Sequence, residues 1–223
     1  MIALLGDIHG NTKRLAWAIK QAEDQGAVAL IQLGDFGMFT KNEMDATFKY
    51  VCSKSNIPVY FIDGNHDDCT RWVGLTDVTQ IWEDTNLFYV PRGTVMELDG
   101  RTVAFMGGAA SIDKHTRIRY HWHWDEEENI SPQEVLRLME NVKDKKIDMF
   151  LTHCPPNSVI NDHFDPRGKL QFGVPIDWHD HNQDIIENAW RSMGFPDIYS
   201  GHMHKRVEGG TYRILDIDEL IFV

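Results

Sequence analysis

Three apolar runs near the start of the chain stop at a glycine followed by a residue able to bind a cation. Residues 2–5 end at Gly6-Asp7, residues 28–33 at Gly34-Asp35, and residues 58–62, after Asp63, at Gly64-Asn65. Short aliphatic runs bounded by polar turns read as buried strands. Between the first two runs, Asn11 can cap a helix in which Leu15, Ile19 and Ala22 recur at helical spacing, and Gly26 can close it. Residues 39–53 read as a second helix. Strands alternating with helices pair in parallel, because each crossover carries the chain back to the same edge. Ligands of such sheets bind at the carboxyl ends of the strands, where loops gather and backbone donors lack partners. The three polar turns therefore fall where a site is expected.

The pattern then changes. Residues 94–98 and 101–106 flank Asp99-Gly100, a pair that favours a tight hairpin, so antiparallel strands follow the parallel ones. Residues 134–145 have helical spacing behind a Ser131-Pro132 start, and residues 147–151 read as a strand ending at Thr152-His153. Residues 155–181, rich in Pro, Gly, Asp and His without a period, read as a long loop forming a rim or lid. Residues 185–193 read as a helix, 198–200 as a strand ending at Gly201-His202, and 212–217 and 220–223 as closing strands. With no repeat or linker, residues 1–223 are expected to form a single domain.

Composition narrows the function. A net charge of -12 opposes the attraction to phosphates on which nucleic-acid binding depends, so long duplex nucleic acid is disfavoured as a partner. Bound cations would offset part of that charge. No run nears the ~18 apolar residues of a membrane span, and the first residues lack the features of a signal peptide. Cys52, Cys69 and Cys154 show no disulfide or zinc-knuckle spacing. The expectation is a cytoplasmic protein with no membrane partner.

Asp7, His9, Asp35, Asn65, His153, His202 and His204 supply carboxylate, amide and imidazole donors at five expected strand ends. Such donors suit divalent metals of intermediate hardness. In Asp7-x-His9 and His202-x-His204, side chains two apart on an extended segment point the same way. One carboxylate, such as Asp35, can bridge two cations.

The ordered motifs Gly6-Asp7-Ile8-His9-Gly10, Gly34-Asp35, Gly64-Asn65-His66-Asp67, Thr152-His153 and Gly201-His202-Met203-His204 resemble the signature of the calcineurin-like metallophosphoesterases, across residues 6–204. The resemblance implies an α/β fold, a four-layer sandwich of two mixed β-sheets flanked by helices. It implies two divalent metal ions, one held by Asp7, His9, Asp35 and His204, the other by Asp35, Asn65, His153 and His202. Manganese is favoured, with Fe, Zn, Ni or Co as alternatives. It also implies in-line attack on phosphorus by a metal-bound hydroxide. His66 resembles the family's catalytic histidine, placed to protonate the leaving group or bond a phosphoryl oxygen, with Asp67 orienting it through the other ring nitrogen. Residues 107–113, Arg117 and residues 122–127 are similar to a stretch lining the substrate side in small bacterial and phage members. On that basis Asp113, Arg117 and Arg119 are candidate substrate contacts.

Phe36-Gly37-Met38 and Asp67 replace the continuations found in the protein Ser/Thr phosphatases of this superfamily, which argues against phosphoprotein substrates. A small phosphoester partner is expected, a small or cyclic nucleotide-type diester first. The alternatives are a nuclease on short or single-stranded ends, a phosphomonoesterase, and a catalytically silent scaffold of the same fold. His121, His123, His163, His179 and His181 match no ligand spacing and read as surface or hydrogen-bonded residues. Trp122 and Trp124 read as packing, Cys154 as a buried spectator, and residues 125–128 as a solvated acidic face.

Overall fold

A computed structural model describes residues 1–38 and 45–223. Its strands are β1 (Ala3–Leu5), β2 (Leu30–Leu33), β3 (Val59–Ile62), β4 (Thr79–Gln80), β5 (Leu87–Tyr89), β6 (Val95–Leu98), β7 (Arg101–Met106), β8 (Met149–Thr152), β9 (Asp197–Ser200), β10 (Val207–Glu208), β11 (Tyr212–Ile214) and β12 (Leu220–Phe222). Its helices are α1 (Thr12–Asp24), α2 (Asp45–Cys52), α3 (Lys114–Arg119), α4 (Pro132–Val142), α5 (Asn157–His163) and α6 (His181–Ser192).

Among the described residues the strands form two six-stranded sheets, ordered β12-β1-β2-β3-β5-β4 and β10-β11-β9-β8-β7-β6. Each has four parallel strands at its centre and an antiparallel strand at either edge. Both sheets are mixed.

The alternation of side chains along each strand explains the layering. Ile2, Leu4, Ile31, Leu33 and Ile62 of the first sheet meet Val103, Phe105, Met149 and Leu151 of the second. The opposite faces carry Ala3, Leu5, Leu30 and Phe61 against Leu15 and Ile19 of α1 and Phe48 of α2, and Ala104, Phe150 and Ile198 against Leu138 of α4, Ile160 of α5 and Ile186 of α6. Helix, sheet, sheet and helix stack in that order. A fully buried Leu or Ile contributes ~1.5–3 kcal/mol, so three such interfaces hold the layers.

The β1, β2, β3 parallel reading and the hairpin at Asp99-Gly100 hold, the latter with φ of 51° and 73° at its two corner residues. Of the helix expected over 39–53, α2 accounts for the last part, and residues 39–44 lie outside the described residues. Other boundaries move for local reasons. α4 begins at Pro132 because the Ser131 side chain and Glu134 form a reciprocal cap, and it stops at Val142 because Lys143 leaves helical geometry (φ -54°, ψ 132°). α6 begins four residues before the expected 185, because Asp180 caps it by accepting from the Asn182 N–H. Residues 155–181 are not one loop: they contain α5 and a 3₁₀ segment, Pro166–Phe172. β11 ends at Ile214, short of the expected 217.

Candidate metal centre

The parallel strands of both sheets deliver their carboxyl ends to one place. Asp7 follows β1, Asp35 follows β2, Asn65 follows β3, His153 follows β8 and His202 follows β9. Ligand atoms of Asp7, His9, Asp35 and His204 lie within 4.8 Å of one another, as do those of Asp35, His153 and His202. Asp35 belongs to both groups.

The backbone is bent to achieve this. His9, Asp35, His202 and His204 adopt positive φ of 42°, 54°, 70° and 49°, a left-handed conformation that costs a side-chain-bearing residue on the order of 1 kcal/mol or more. Strain of that kind persists only where the surroundings over-determine it. Glycine before a ligand has a spatial reason as well. A Cβ on Gly64 would stand 2.2 Å from Asp35 Oδ1 and 2.7 Å from His153 Nε2, and one on Gly34 would stand 2.3 Å from His153 Nδ1. Gln32, buried inside β2, locks these turns by donating to the carbonyls of Gly6 and Gly34 and accepting from the Gly34 N–H.

The donor atoms face one another in a way that neutral protein alone does not satisfy. His9 Nε2 is 2.9 Å from His204 Nε2, which is 3.2 Å from Asp7 Oδ2. His153 Nδ1 donates to the Leu33 carbonyl at 2.8 Å, so its Nε2 lone pair faces the carbonyl oxygen of Asn65 at 3.2 Å and Asp35 Oδ1 at 3.4 Å. Asp35 Oδ2 is buried and accepts no hydrogen bond among the described residues. Converging lone pairs and an orphaned carboxylate oxygen fit a cation. The residues present suit the divalent ions that the motifs imply.

Electrostatics agree. Burial lifts Asp35 to about 6, only partly offset by His153, while Asp7 adds to the rise. Burial also pushes Asp7 upward, but His204, His153 and the His202 N–H outweigh it and hold the acid below its ordinary value. His202 is depressed to about 3 by burial and by His153, whereas contact with Asp7 raises His204.

A family model for the calcineurin-like phosphoesterases matches residues 1–206. The chain belongs to that family. An uncharacterized protein of Haemophilus influenzae (strain ATCC 51907 / DSM 11121 / KW20 / Rd) is 33% identical over 108 residues, 48% of this chain and 42% of that protein, so the match spans less than half of its length. The crystal structure of TT1561 of Thermus thermophilus shares the fold, with a TM-score of 0.56 and 16% identity over 96% of this chain and 88% of that one.

The residues around the centre of this calcineurin-like family member divide into those that meet it and those that do not. Arg117, buried on α3, places Nη2 within 2.9 Å and 2.7 Å of the two His66 ring nitrogens, and its Nη1 donates to the Asn65 backbone carbonyl at 2.8 Å. Asp113 accepts from Arg117 Nε at 2.8 Å, so it holds the arginine in place. Arg119 is exposed and lies over the Tyr120 ring. The expectation that Asp67 orients His66 is corrected. Its carboxylate accepts backbone N–H groups from Phe36, Gly37, Met38 and Gly64 at 3.1, 2.7, 3.0 and 3.0 Å, and so ties the turn after β2 to the turn after β3.

Two contributors escaped the sequence reading. Glu128, expected on a solvated face, is buried and accepts from Ser111 N and Oγ at 2.7 and 2.5 Å; Asn65 Nδ2 donates to Ser111 Oγ at 3.2 Å. This chain aims the Asn65 carbonyl oxygen into the site. Nothing in an acidic run signals such burial. Gln32 was legible in principle, as the polar residue inside the apolar Leu-Ile-Gln-Leu strand. Trp122, expected to pack, is 59% exposed, whereas Cys154 is buried as expected.

Proposed function

We propose that the protein is a dinuclear metal-dependent phosphodiesterase acting on small or cyclic nucleotide-type diesters. The observation that carries the reading is the pose of Asp35: Oδ1 lies 3.4 Å from His153 Nε2, and Oδ2 lies 3.8 Å from His9 Nε2. One carboxylate thus offers an oxygen to each donor group. Asp7, His9, Asp35 and His204 would hold one ion, and Asp35, Asn65, His153 and His202 the other, with manganese favoured. Bound there, the ions would supply Lewis-acid polarisation of the phosphoryl group and acidify water.

The chain's own groups set the rest of the chemistry. Burial and the Arg117 guanidinium drive His66 down to about 2, so its ring is neutral at physiological pH. A neutral imidazole bonds a phosphoryl oxygen through its N–H and is a poor proton donor. Of the two roles expected for His66, oxygen binding is favoured. Arg117, braced by Asp113, would face the same phosphoryl group. A diester carries one negative charge and a monoester two, and among the described residues Arg117 is the one arginine within hydrogen-bond reach of His66, which suits the former. The three free, buried cysteines fit a reducing, cytoplasmic location.

The test is hydrolysis of bis-p-nitrophenyl phosphate and p-nitrophenyl phosphate by the manganese-loaded protein. A higher kcat/KM for the diester is expected. A higher value for the monoester would overturn the diester assignment, and no turnover of either would favour the silent scaffold.

A further inference from the structure

The loop after β3 and the segment after α3 meet at a second constellation of metal-binding groups. Ligand atoms of Asp68, His123 and Asp125 all lie within 4.8 Å of one another. His123 Nε2 stands 3.6 Å from Asp68 Oδ1 and 2.7 Å from Asp125 Oδ2. The two carboxylate side chains are 5% and 11% exposed, and the imidazole between them is 27% exposed.

The charges there do not balance. Buried Asp68 and the partly buried Asp125 share one histidine; Thr70 Oγ1 donates to Asp68 Oδ1, and among the described residues no lysine or arginine pairs with either carboxylate. Asp125 Oδ1 is buried and accepts no hydrogen bond among the described residues. A desolvated carboxylate oxygen without a donor is costly unless a cation occupies the space beside it. Burial accordingly lifts the Asp125 carboxyl above its ordinary range, with Glu127 and Asp68 adding to the rise and His123 opposing it. Two carboxylate oxygens and one imidazole nitrogen form a donor set for first-row divalent ions, and the half-open imidazole leaves a path of entry.

We propose that Asp68, His123 and Asp125 form a further binding site for a divalent first-row cation, separate from the centre at Asp35. Asp68 is fixed by its place in the chain, since its N–H donates to the Met38 carbonyl at 2.8 Å, beside the turns that Asp67 ties together. His123 and Asp125 lie between Arg117, which faces His66, and Glu128, which aims Asn65 through Ser111. A cation at this point fastens the segment carrying Arg117 and Glu128 to the loop carrying His66. The site does not depend on the phosphodiesterase reading, since it holds whether or not the centre turns over a phosphoester.

The experiment measures zinc retained by the full chain after chelation, reloading with Zn²⁺ and gel filtration, in an Asp35→Asn/His204→Ala background that disables the central donors. About one equivalent of zinc is expected to remain there, and adding His123→Ala or Asp125→Asn is expected to weaken its binding at least tenfold. Zinc-free protein in the background variant overturns the proposal, as does retained zinc that ignores both added substitutions. Should a variant fail to fold, crystals of the unsubstituted zinc-loaded protein decide by anomalous scattering. A peak between Asp68, His123 and Asp125 supports the site, and its absence sinks it.

Discussion

At Asp35 one oxygen accepts the His66 backbone N–H at 2.8 Å while the other, buried, accepts nothing, and the acid titrates at about 6 against an ordinary 3.8. A carboxyl with a raised folded value binds its proton better in the folded chain than in the unfolded one. Its ionisation therefore erodes the stability of metal-free protein as pH rises from about 4 through 6. Asp35→Asn removes that charge but keeps an acceptor for His66. Melting in EDTA at pH 7 should give a higher Tm for the variant, by several degrees for a gain on the order of 1–3 kcal/mol. The same variant should take up less metal, and a lower Tm in EDTA would contradict the account. The proton also competes with the cation, so apparent metal affinity should strengthen from pH 5 to 7, which titration calorimetry would show. His66 makes a second prediction at this scale. Because its ring is neutral and loading with cations depresses it further, His66→Gln should retain more activity than His66→Ala, for which a loss of roughly 10²- to 10⁴-fold is expected. The pH–rate profile above pH 6 should keep its shape in the glutamine variant. A basic limb present in the unsubstituted enzyme and missing from that variant would restore the proton-donor role.

Turns, more than strands, carry the element-scale argument. Asp67 gathers four N–H groups from two turns, and burial, reinforced by Asp35, lifts it to about 7. Asp67→Asn swaps one acceptor oxygen for a donor facing N–H groups, leaving at least one of them unsatisfied. The expected cost is about 1–3 kcal/mol, read as a drop in Tm of several degrees, with the metal content of the folded fraction kept. Gly64→Ala should affect metal uptake as well. Its Cβ would stand 2.2 Å from Asp35 Oδ1 and 2.4 Å from the Asp35 backbone nitrogen, so both a ligand and the turn must shift, and metal uptake and Tm should both fall. These turns were legible in the sequence because a short apolar run ends abruptly at glycine plus a donor, and the donors named there are the ones that converge. The contacts of Asp67 were not legible, since an acid beside a histidine suggests a partner in sequence, whereas four backbone N–H groups come from the fold. Helix α3 was missed for a different reason: six residues, without a side-chain cap, leave almost no periodic signal. Glu128 looked solvated because its run is acidic, whereas in the fold Arg92, in the segment after β5, donates to the Glu127, Glu128 and Asn129 backbone carbonyls and so holds the run inward.

For the whole molecule, the decisive feature is that neither sheet owns the centre. Asp7, His9, Asp35 and Asn65 come from the first sheet, and His153, His202 and His204 from the second, so each proposed ion takes donors from both. An ion so held binds the assembled layers and not the separated ones, and at a hundredfold excess over Kd it would stabilise the fold by about 2.7 kcal/mol. The hydrophobic contacts between the sheets need no metal, so the stripped protein should remain folded. What loosens is the edge where the strands end. Stripping the metal should therefore raise amide hydrogen exchange in the turns at residues 7–10, 35–38 and 64–67 and also at 153–154 and 201–204, while the centres of β2 and β8 stay protected. Exchange followed by mass spectrometry, with and without manganese, measures this. If protection changes in the turns of one sheet alone, the ions draw on that sheet only, and a centre that clamps the two sheets together is excluded.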